Sequence, residues 1–336
     1  MTRYQHGGDI AAFARACGCS RGEVIDLSSN INFVKPHIST DFNTLQIAPY
    51  PNYDALYNAI ASHYSVESTT LELFNGGSSA IFSFFRELST AISVCTIYSP
   101  AYLEYKKAAT LFGYRLHLID RFTHLDTKIP GESLVIFVNP ATPDGKFYDM
   151  EPLLEMWHAQ ECLVLIDESF IEFTSHPSAT RFLKQYPNLT ILKSMTKFFG
   201  AAGIRMGTLI SHPDNITRLR AKEPLWKLSA FDSTYIQLAL KDSGFKERSD
   251  RENHLARTFL LDSLENSPLV EKIYPSEANY ILVRLHISTG EFQQKLITHR
   301  LLVRNCMNFD GLDDHHVRIA VKSIGELRQL KEVLHA

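Results

Sequence analysis

Leu163-Val164-Leu165-Ile166-Asp167-Glu168 is four apolar residues running straight into two acids. A run that is apolar at every position, not at alternate ones, predicts a strand covered on both faces, as in a parallel sheet flanked by helices. Similar runs stand on either side of it. Leu134-Val135-Ile136-Phe137-Val138 precedes it, and Leu189-Thr190-Ile191-Leu192-Lys193 follows. Further out, Cys95 to Tyr98, Arg115 to Ile119 and Gly207 to Ile210 read as strands. Ala80 to Leu88, Tyr102 to Phe112 (closed by Gly113) and Glu151 to Gln160 have helical spacing. Strands alternating with helices imply an α/β fold with a mostly parallel central sheet.

Past residue 245 the pattern changes. A polar-faced helix is predicted over Asp250–Leu264, then a strand over Asn279–Arg284, a helix over Gly290–His299 and a strand near Leu302. A strand over His316–Ala320 and a closing helix from Ser323 complete the chain. These elements predict a large α/β domain over residues 46–245. A smaller α+β domain is expected from both chain ends, residues 1–45 and 246–336.

The chain's 336 residues include 34 Lys and Arg against 37 Asp and Glu, a net charge of −3. That balance offers no basic footprint for nucleic acid. No run of about 18 apolar residues is present to span a membrane. The start, Met1-Thr-Arg-Tyr-Gln-His-Gly-Gly8, has no apolar core of a signal peptide. Five scattered cysteines argue against a disulfide framework and for a reducing cytoplasm. Cys17-Gly18-Cys19 has no second pair, so no metal site is expected.

In open parallel sheets, ligands sit beyond the carboxyl ends of the strands. Four loops there carry reactive groups. Asn75-Gly76-Gly77-Ser78-Ser79 leads into a helix, where exposed N–H groups can hold a phosphate. Asp167-Glu168 ends a buried strand. Ser194-Met195-Thr196-Lys197 follows another. Pro140-Ala141-Thr142-Pro143-Asp144-Gly145 is by itself a turn. A phosphate cradle, an acid and a lysine, each at a strand end, are together the parts for pyridoxal phosphate. The amine can form a Schiff base with the aldehyde, and the acid can keep the pyridine nitrogen protonated. Arg205, eight residues past Lys197, can neutralise the phosphate.

Asp167-Glu-Ser-Phe-Ile-Glu-Phe173, Ser194-Met-Thr-Lys-Phe-Phe199 and Gly203-Ile-Arg-Met-Gly207 resemble the fold type I pyridoxal-phosphate enzymes, in their histidinol-phosphate aminotransferase branch. His6-Gly-Gly-Asp-Ile10, Asp26-Leu-Ser-Ser-Asn-Ile-Asn32, Tyr50-Pro-Asn-Tyr53, Ala278-Asn-Tyr-Ile-Leu282, Val303-Arg-Asn-Cys306 and Val317-Arg-Ile-Ala320 are similar to the threonine-phosphate decarboxylases of cobalamin biosynthesis. The resemblance runs from about His6 to the C-terminus.

It implies a fold type I pyridoxal-phosphate transferase architecture with pyridoxal 5'-phosphate as cofactor. Lys197 matches the Schiff-base lysine and Asp167 the pyridinium partner. Gly77, Ser78, Ser194 and Arg205 match the phosphate cradle, and Tyr102 the ring stacked on the cofactor. Tyr50 matches a tyrosine that reaches the phosphate in the neighbouring subunit, implying a homodimer with shared sites. Thr142 falls where the family carries Asn against the cofactor's phenolic oxygen. A hydroxyl can donate one hydrogen bond there, but it is shorter than an amide. Asn139, three residues earlier, is not expected to substitute. Phe170 stands where aminotransferases of the branch carry Tyr.

For substrate, the resemblance points to Arg304 and Arg318, with His6, Gly7, Asn30 and Asn32 beside them. Guanidinium forks suit phosphate and carboxylate. Arg318 alternates with Val317 and Ile319, so its side chain should face away from theirs. The implied reaction is decarboxylation of L-threonine O-3-phosphate to aminopropanol phosphate. L-serine O-phosphate is equally sensible, since one methyl discriminates by only about 1–3 kcal/mol. The rival is a histidinol-phosphate-type aminotransferase. A second rival is a catalytically silent protein retaining the fold. No Gly-x-Ser-x-Gly elbow supports a hydrolase, and no Gly-x-Gly-x-x-Gly a dinucleotide enzyme.

Overall fold

The structure, a computed structural model, describes residues 8–336. Strands are β1 (Ile25–Asp26), β2 (Leu71–Phe74), β3 (Val94–Ser99), β4 (Arg115–Asp120), β5 (Leu134–Val138), β6 (Leu163–Asp167), β7 (Leu189–Ser194) and β8 (Gly207–Ser211). They continue as β9 (Val270–Ile273), β10 (Tyr280–Leu285), β11 (Leu301–Leu302), β12 (Arg304–Asn305) and β13 (His316–Ala320). Helices are α1 (Ile10–Cys17), α2 (Asp54–Tyr64), α3 (Gly77–Leu88), α4 (Leu103–Leu111), α5 (Glu151–Ala159), α6 (Met195–Phe198), α7 (Pro213–Arg220) and α8 (Ala230–Ala239). The last three are α9 (Phe245–Glu265), α10 (Thr289–Ile297) and α11 (Ile324–Leu334).

Seven strands form one sheet in the order β2-β8-β7-β6-β5-β3-β4. Strands β7, β6, β5, β3 and β4 run parallel, and β8 alone is reversed against both neighbours. The expected α/β class with a mostly parallel sheet is what the chain adopts. Its inner strands are buried along nearly their whole length, because apolar clusters cover both faces. Trp157 and Phe137 anchor one cluster, and Phe85 and Tyr105 the other. Gly113 closes α4 with φ +79°, a conformation that favours glycine.

A second sheet, β12-β13-β10-β9, is antiparallel and packs on α9 and α11 through Leu260, Ile281, Val317 and Leu330. The segment around β1 joins it. Ile25↔Leu301 and Asp26↔Leu302 pair in parallel, and Ala320 N donates to Leu27 O at 2.8 Å. That stitching carries residues 28–30 to the edge of the large sheet.

No element is predicted from sequence at β1, β2, β9, β12, α1, α2, α6, α7 or α8, and the predicted α9 begins five residues late, at residue 250 instead of 245. No helix among the described residues is long and apolar enough to cross a membrane.

Candidate active site

Adjacent parallel strands set the centre of the site. β6 ends at Asp167 and β7 at Ser194, and the two pair in register, Asp167↔Leu192. One short turn, α6, then carries Lys197 over the same sheet edge, into a cavity that Asp167 also lines. The Lys197 ammonium is lowered to about 8, chiefly by desolvation and further by the guanidinium groups of Arg318 and Arg205, with Asp167 acting the other way.

Asp167 is buried, which raises its carboxyl above the ordinary value. Hydrogen bonds to it work in the opposite sense. Tyr105 Oη donates to Oδ2 at 2.7 Å, while Ser169 donates to Oδ1 from its hydroxyl and from its backbone N at 2.9 Å. Burial also holds the Tyr105 phenol far above its usual range, so it stays a donor. The carboxylate is thereby fixed in orientation. Tyr105 and Ser169 were missed from sequence. The available signal was local: Tyr105 lies one helical turn beyond Tyr102, and Ser169 two residues after Asp167.

The expected cradle is at the start of α3. Gly76 has φ +83°, and a Cβ there would run into the Arg205 guanidinium. α3 begins at Gly77, so its first-turn N–H groups point at the cavity edge lined by Gly77, Ser78, Ser194 and Arg205. Ser78 Oγ lies 3.4 Å from Tyr102 Oη. Arg205 is aimed by its own Nη1 donating to Ala202 O at 2.9 Å and by its backbone N donating to Asp232 at 3.1 Å.

Thr142 also lines the cavity. Its hydroxyl accepts from Arg318 Nη1 at 3.1 Å. Asn139 is excluded from that role by its own bonds. Its carboxamide donates to Tyr148 O and accepts from Tyr148 N, both at 2.9 Å. The opposite wall comes from the second sheet and the β1 segment: Ser28, Ser29, Asn30, Arg304, Phe309 and Arg318. Arg304 and Arg318 are direct cross-strand partners. Val317 and Ile319 turn into the core and Arg318 toward the cavity, as the alternation predicted. Burial lowers both guanidinium groups from their ordinary values.

Two expected site residues are not brought here. Asn32 is buried in the packing between α6 and α9. Its amide donates to Phe198 O and Ser249 Oγ, both at 2.8 Å, and its oxygen accepts from Val34 N at 3.1 Å and Asn253 at 3.0 Å. Those bonds occupy the side chain, so Asn32 braces the site instead of lining it. Tyr50 is 75% exposed and stacks on Trp226 at 4.1 Å, outside the cavity of its own chain. His6 and Gly7 lie outside the described residues. Among the described residues no group of three or more His, Cys, Asp or Glu could hold a metal.

A desolvated lysine, an oriented buried acid at the next strand end and a glycine turn opening a helix beside an arginine define a pyridoxal 5'-phosphate site. The residues fit that group chemically. The amine suits its aldehyde, the fixed carboxylate its ring nitrogen and the cradle its phosphate. The chain belongs to the aminotransferase class I and II family, which it matches over residues 23–336, and pyridoxal 5'-phosphate is its cofactor. It is 28% identical to the threonine-phosphate decarboxylase of Salmonella typhimurium, across 98% of this chain and 95% of that one. It is 26% identical to the histidinol-phosphate aminotransferase of Methanocaldococcus jannaschii, across 98% and 94%. It is also 28% identical to the adenosylcobalamin biosynthesis bifunctional protein CobDQ of Leptospira interrogans, but spans only 40% of that protein's length. Among solved structures, the histidinol-phosphate aminotransferase of Clostridium acetobutylicum superposes with a TM-score of 0.80 at 26% identity, covering 93% of this chain and 98% of that one.

Proposed function

We propose that the chain decarboxylates a phosphorylated amino acid. L-Threonine O-3-phosphate would give (R)-1-aminopropan-2-yl phosphate for the nucleotide loop of a cobamide, and L-serine O-phosphate would give ethanolamine phosphate. The observation that carries this reading is the Arg304–Arg318 pair. Two buried guanidinium groups directly opposite each other repel, and an anion between them offsets that repulsion. With Asn30 beside them, they suit the dianionic side-chain phosphate of a small phosphorylated amino acid.

Bound pyridoxal phosphate supplies an electron sink for the pair released when a bond at the substrate's Cα breaks. Asp167 would hold the ring nitrogen of the bound group and favour a proton there. Lys197, with its amine near 8, is partly neutral at neutral pH and so nucleophilic. Its protonated Nζ then delivers a proton to Cα in the place left by carbon dioxide. Arg304 and Arg318 decide which bond is exposed. Holding the side-chain phosphate leaves the α-carboxylate free to stand across the ring plane. Gripping the carboxylate instead would hold it near the plane and expose the α-proton, which is the aminotransferase outcome.

The reading extends to a homodimer in the cytoplasm. Tyr50, outside its own cavity and exposed, is free to reach a partner's site, and the five cysteines are unpaired. The deciding experiment offers phosphothreonine, phosphoserine and histidinol phosphate to the holoenzyme side by side. Release of carbon dioxide from a phosphoamino acid is expected. Conversion of the cofactor to pyridoxamine phosphate with histidinol phosphate, and no carbon dioxide from the other two, would replace this reading with the aminotransferase.

A further inference from the structure

Arg121 follows β4 and is entirely buried, yet it does not line the cavity. Its Nη2 donates to two backbone carbonyls at once, Pro100 O and Thr142 O, the second at 2.6 Å. Asp144 Oδ1 lies 3.2 Å from the same nitrogen, so the buried charge has a counter-charge. Nε and Nη1 have no hydrogen-bond partner among the described residues. A buried guanidinium with two unpaired nitrogens is unfavourable for stability alone, and what the fold gains from it lies in the carbonyls its third nitrogen holds. Pro100 lies two residues before Tyr102. The Thr142 carbonyl belongs to the residue whose hydroxyl enters the cavity. Arg121 therefore fastens the loop after β3 to the loop after β5 from behind, and these two loops deliver the aromatic ring and the hydroxyl to one space. Other anchors act on the same loop from other sides: Tyr280 Oη donates to Ala141 O at 2.7 Å and Arg318 to Thr142 Oγ1.

The geometry points to Arg121 as a positioning residue that sets Tyr102 and Thr142 against the cofactor. A threonine in place of a longer amide has less reach, so its backbone must be held in one place for the hydroxyl to bond at all. The inference rests on the cofactor reading of the site and not on which reaction follows. It is tested on the full-length protein by equilibrium binding of pyridoxal phosphate and by titrating the bound cofactor's visible absorbance against pH. Neither readout involves a substrate. Wild-type loading is the reference, so a failure of the site reading shows there and not in the variants.

Arg121→Met is expected to weaken cofactor binding by about 10- to 100-fold and to move the absorbance midpoint. Arg121→Lys, which can reach one carbonyl, should fall between. Wild-type affinity with an unmoved midpoint in Arg121→Met overturns the assignment. Should Arg121→Met fail to fold, Arg121→Lys is compared in the wild-type and Thr142→Ala backgrounds. The midpoint shift should shrink once the hydroxyl is gone, leaving the part carried by Tyr102. An equal shift in both backgrounds, or none in either, overturns it.

Discussion

Lys197 is buried beside two guanidinium groups and one carboxylate, and desolvation plus the guanidiniums outweigh the carboxylate. Folding therefore favours its neutral form. With a folded value near 8 against 10.5 for an ordinary lysine, the unfolded chain binds more protons between those limits. Stability of the cofactor-free protein must then rise with pH across that window. Below pH 8 both states are protonated and the penalty is constant, worth about 3 kcal/mol at 1.36 kcal/mol per pH unit. Lys197→Met should abolish the pH-dependent increment and stabilise the apoprotein at pH 7 by up to that amount. Denaturant unfolding of both proteins at pH 7 and pH 10 measures the difference, and parallel curves would refute it. At this scale the site was legible wherever a reactive group follows a strand: Lys197, Asp167, Thr142 and Arg205 all line the cavity. Asn32 was misplaced because nothing in the local string distinguishes an amide facing a cavity from one bonded to Phe198, Ser249 and Asn253 across the fold. Arg121 was illegible for a related reason, and the Asp167 bond of Tyr105 likewise, although its place one turn beyond Tyr102 was in view. Each acts through a partner distant in sequence.

β8 is the one reversed strand of the large sheet, and its first residue holds the phosphate cradle in place. A Cβ on Gly207 would come within 2.6 Å of Gly77 N and 2.8 Å of Gly76 C. Both are backbone atoms of the turn that opens α3, so neither can swing aside as a side chain would. Gly207→Ala should push α3 away from β8. We expect a loss of about 1–3 kcal/mol in stability, with weaker binding of pyridoxal phosphate and of inorganic phosphate competing for the cradle. An alanine variant that unfolds and binds like wild type would show that the turn is looser than the packing indicates. Elements were readable where burial on both faces wrote a continuous apolar run, as in β5 and β6. β2 escaped because Glu72 interrupts Leu71-Glu-Leu-Phe74. In the fold that carboxylate is buried and bonded to Arg220, Lys227 and Tyr57, partners far along the chain. α2 and α8 escaped for a different reason. Their faces are mixed, and packing on each other and on the sheet supplies what the spacing does not.

Both sheets contribute to one cavity: the large sheet supplies Lys197 and Asp167, the smaller one Arg304 and Arg318. Lys106 on α4 reaches Asp310 at 2.5 Å, linking the loop that carries Phe309 to the large sheet. Of the two described site residues outside the cavity, Asn32 is buried and Tyr50 stands in solvent. Around it Ile47, Leu225 and Trp226 are at least half exposed, an apolar group that a lone chain would leave in water. If a second copy covers this patch, Tyr50 belongs to the partner's cavity, and two-fold symmetry makes the exchange mutual. This yields a test that separates acting across the interface from acting within one chain. Lys197→Ala and Tyr50→Ala are each expected to be defective alone. In a mixed dimer, the site keeping Lys197 would receive Tyr50 from the Lys197→Ala chain and be complete, while the other site would lack both. Random exchange at equal amounts makes half the dimers mixed, so about a quarter of all sites should regain wild-type cofactor binding and turnover. Were Tyr50 to act on its own chain's cofactor, or on none, every mixed site would carry one of the defects. Activity would then stay at the average of the two parents, with sedimentation confirming that exchange had taken place.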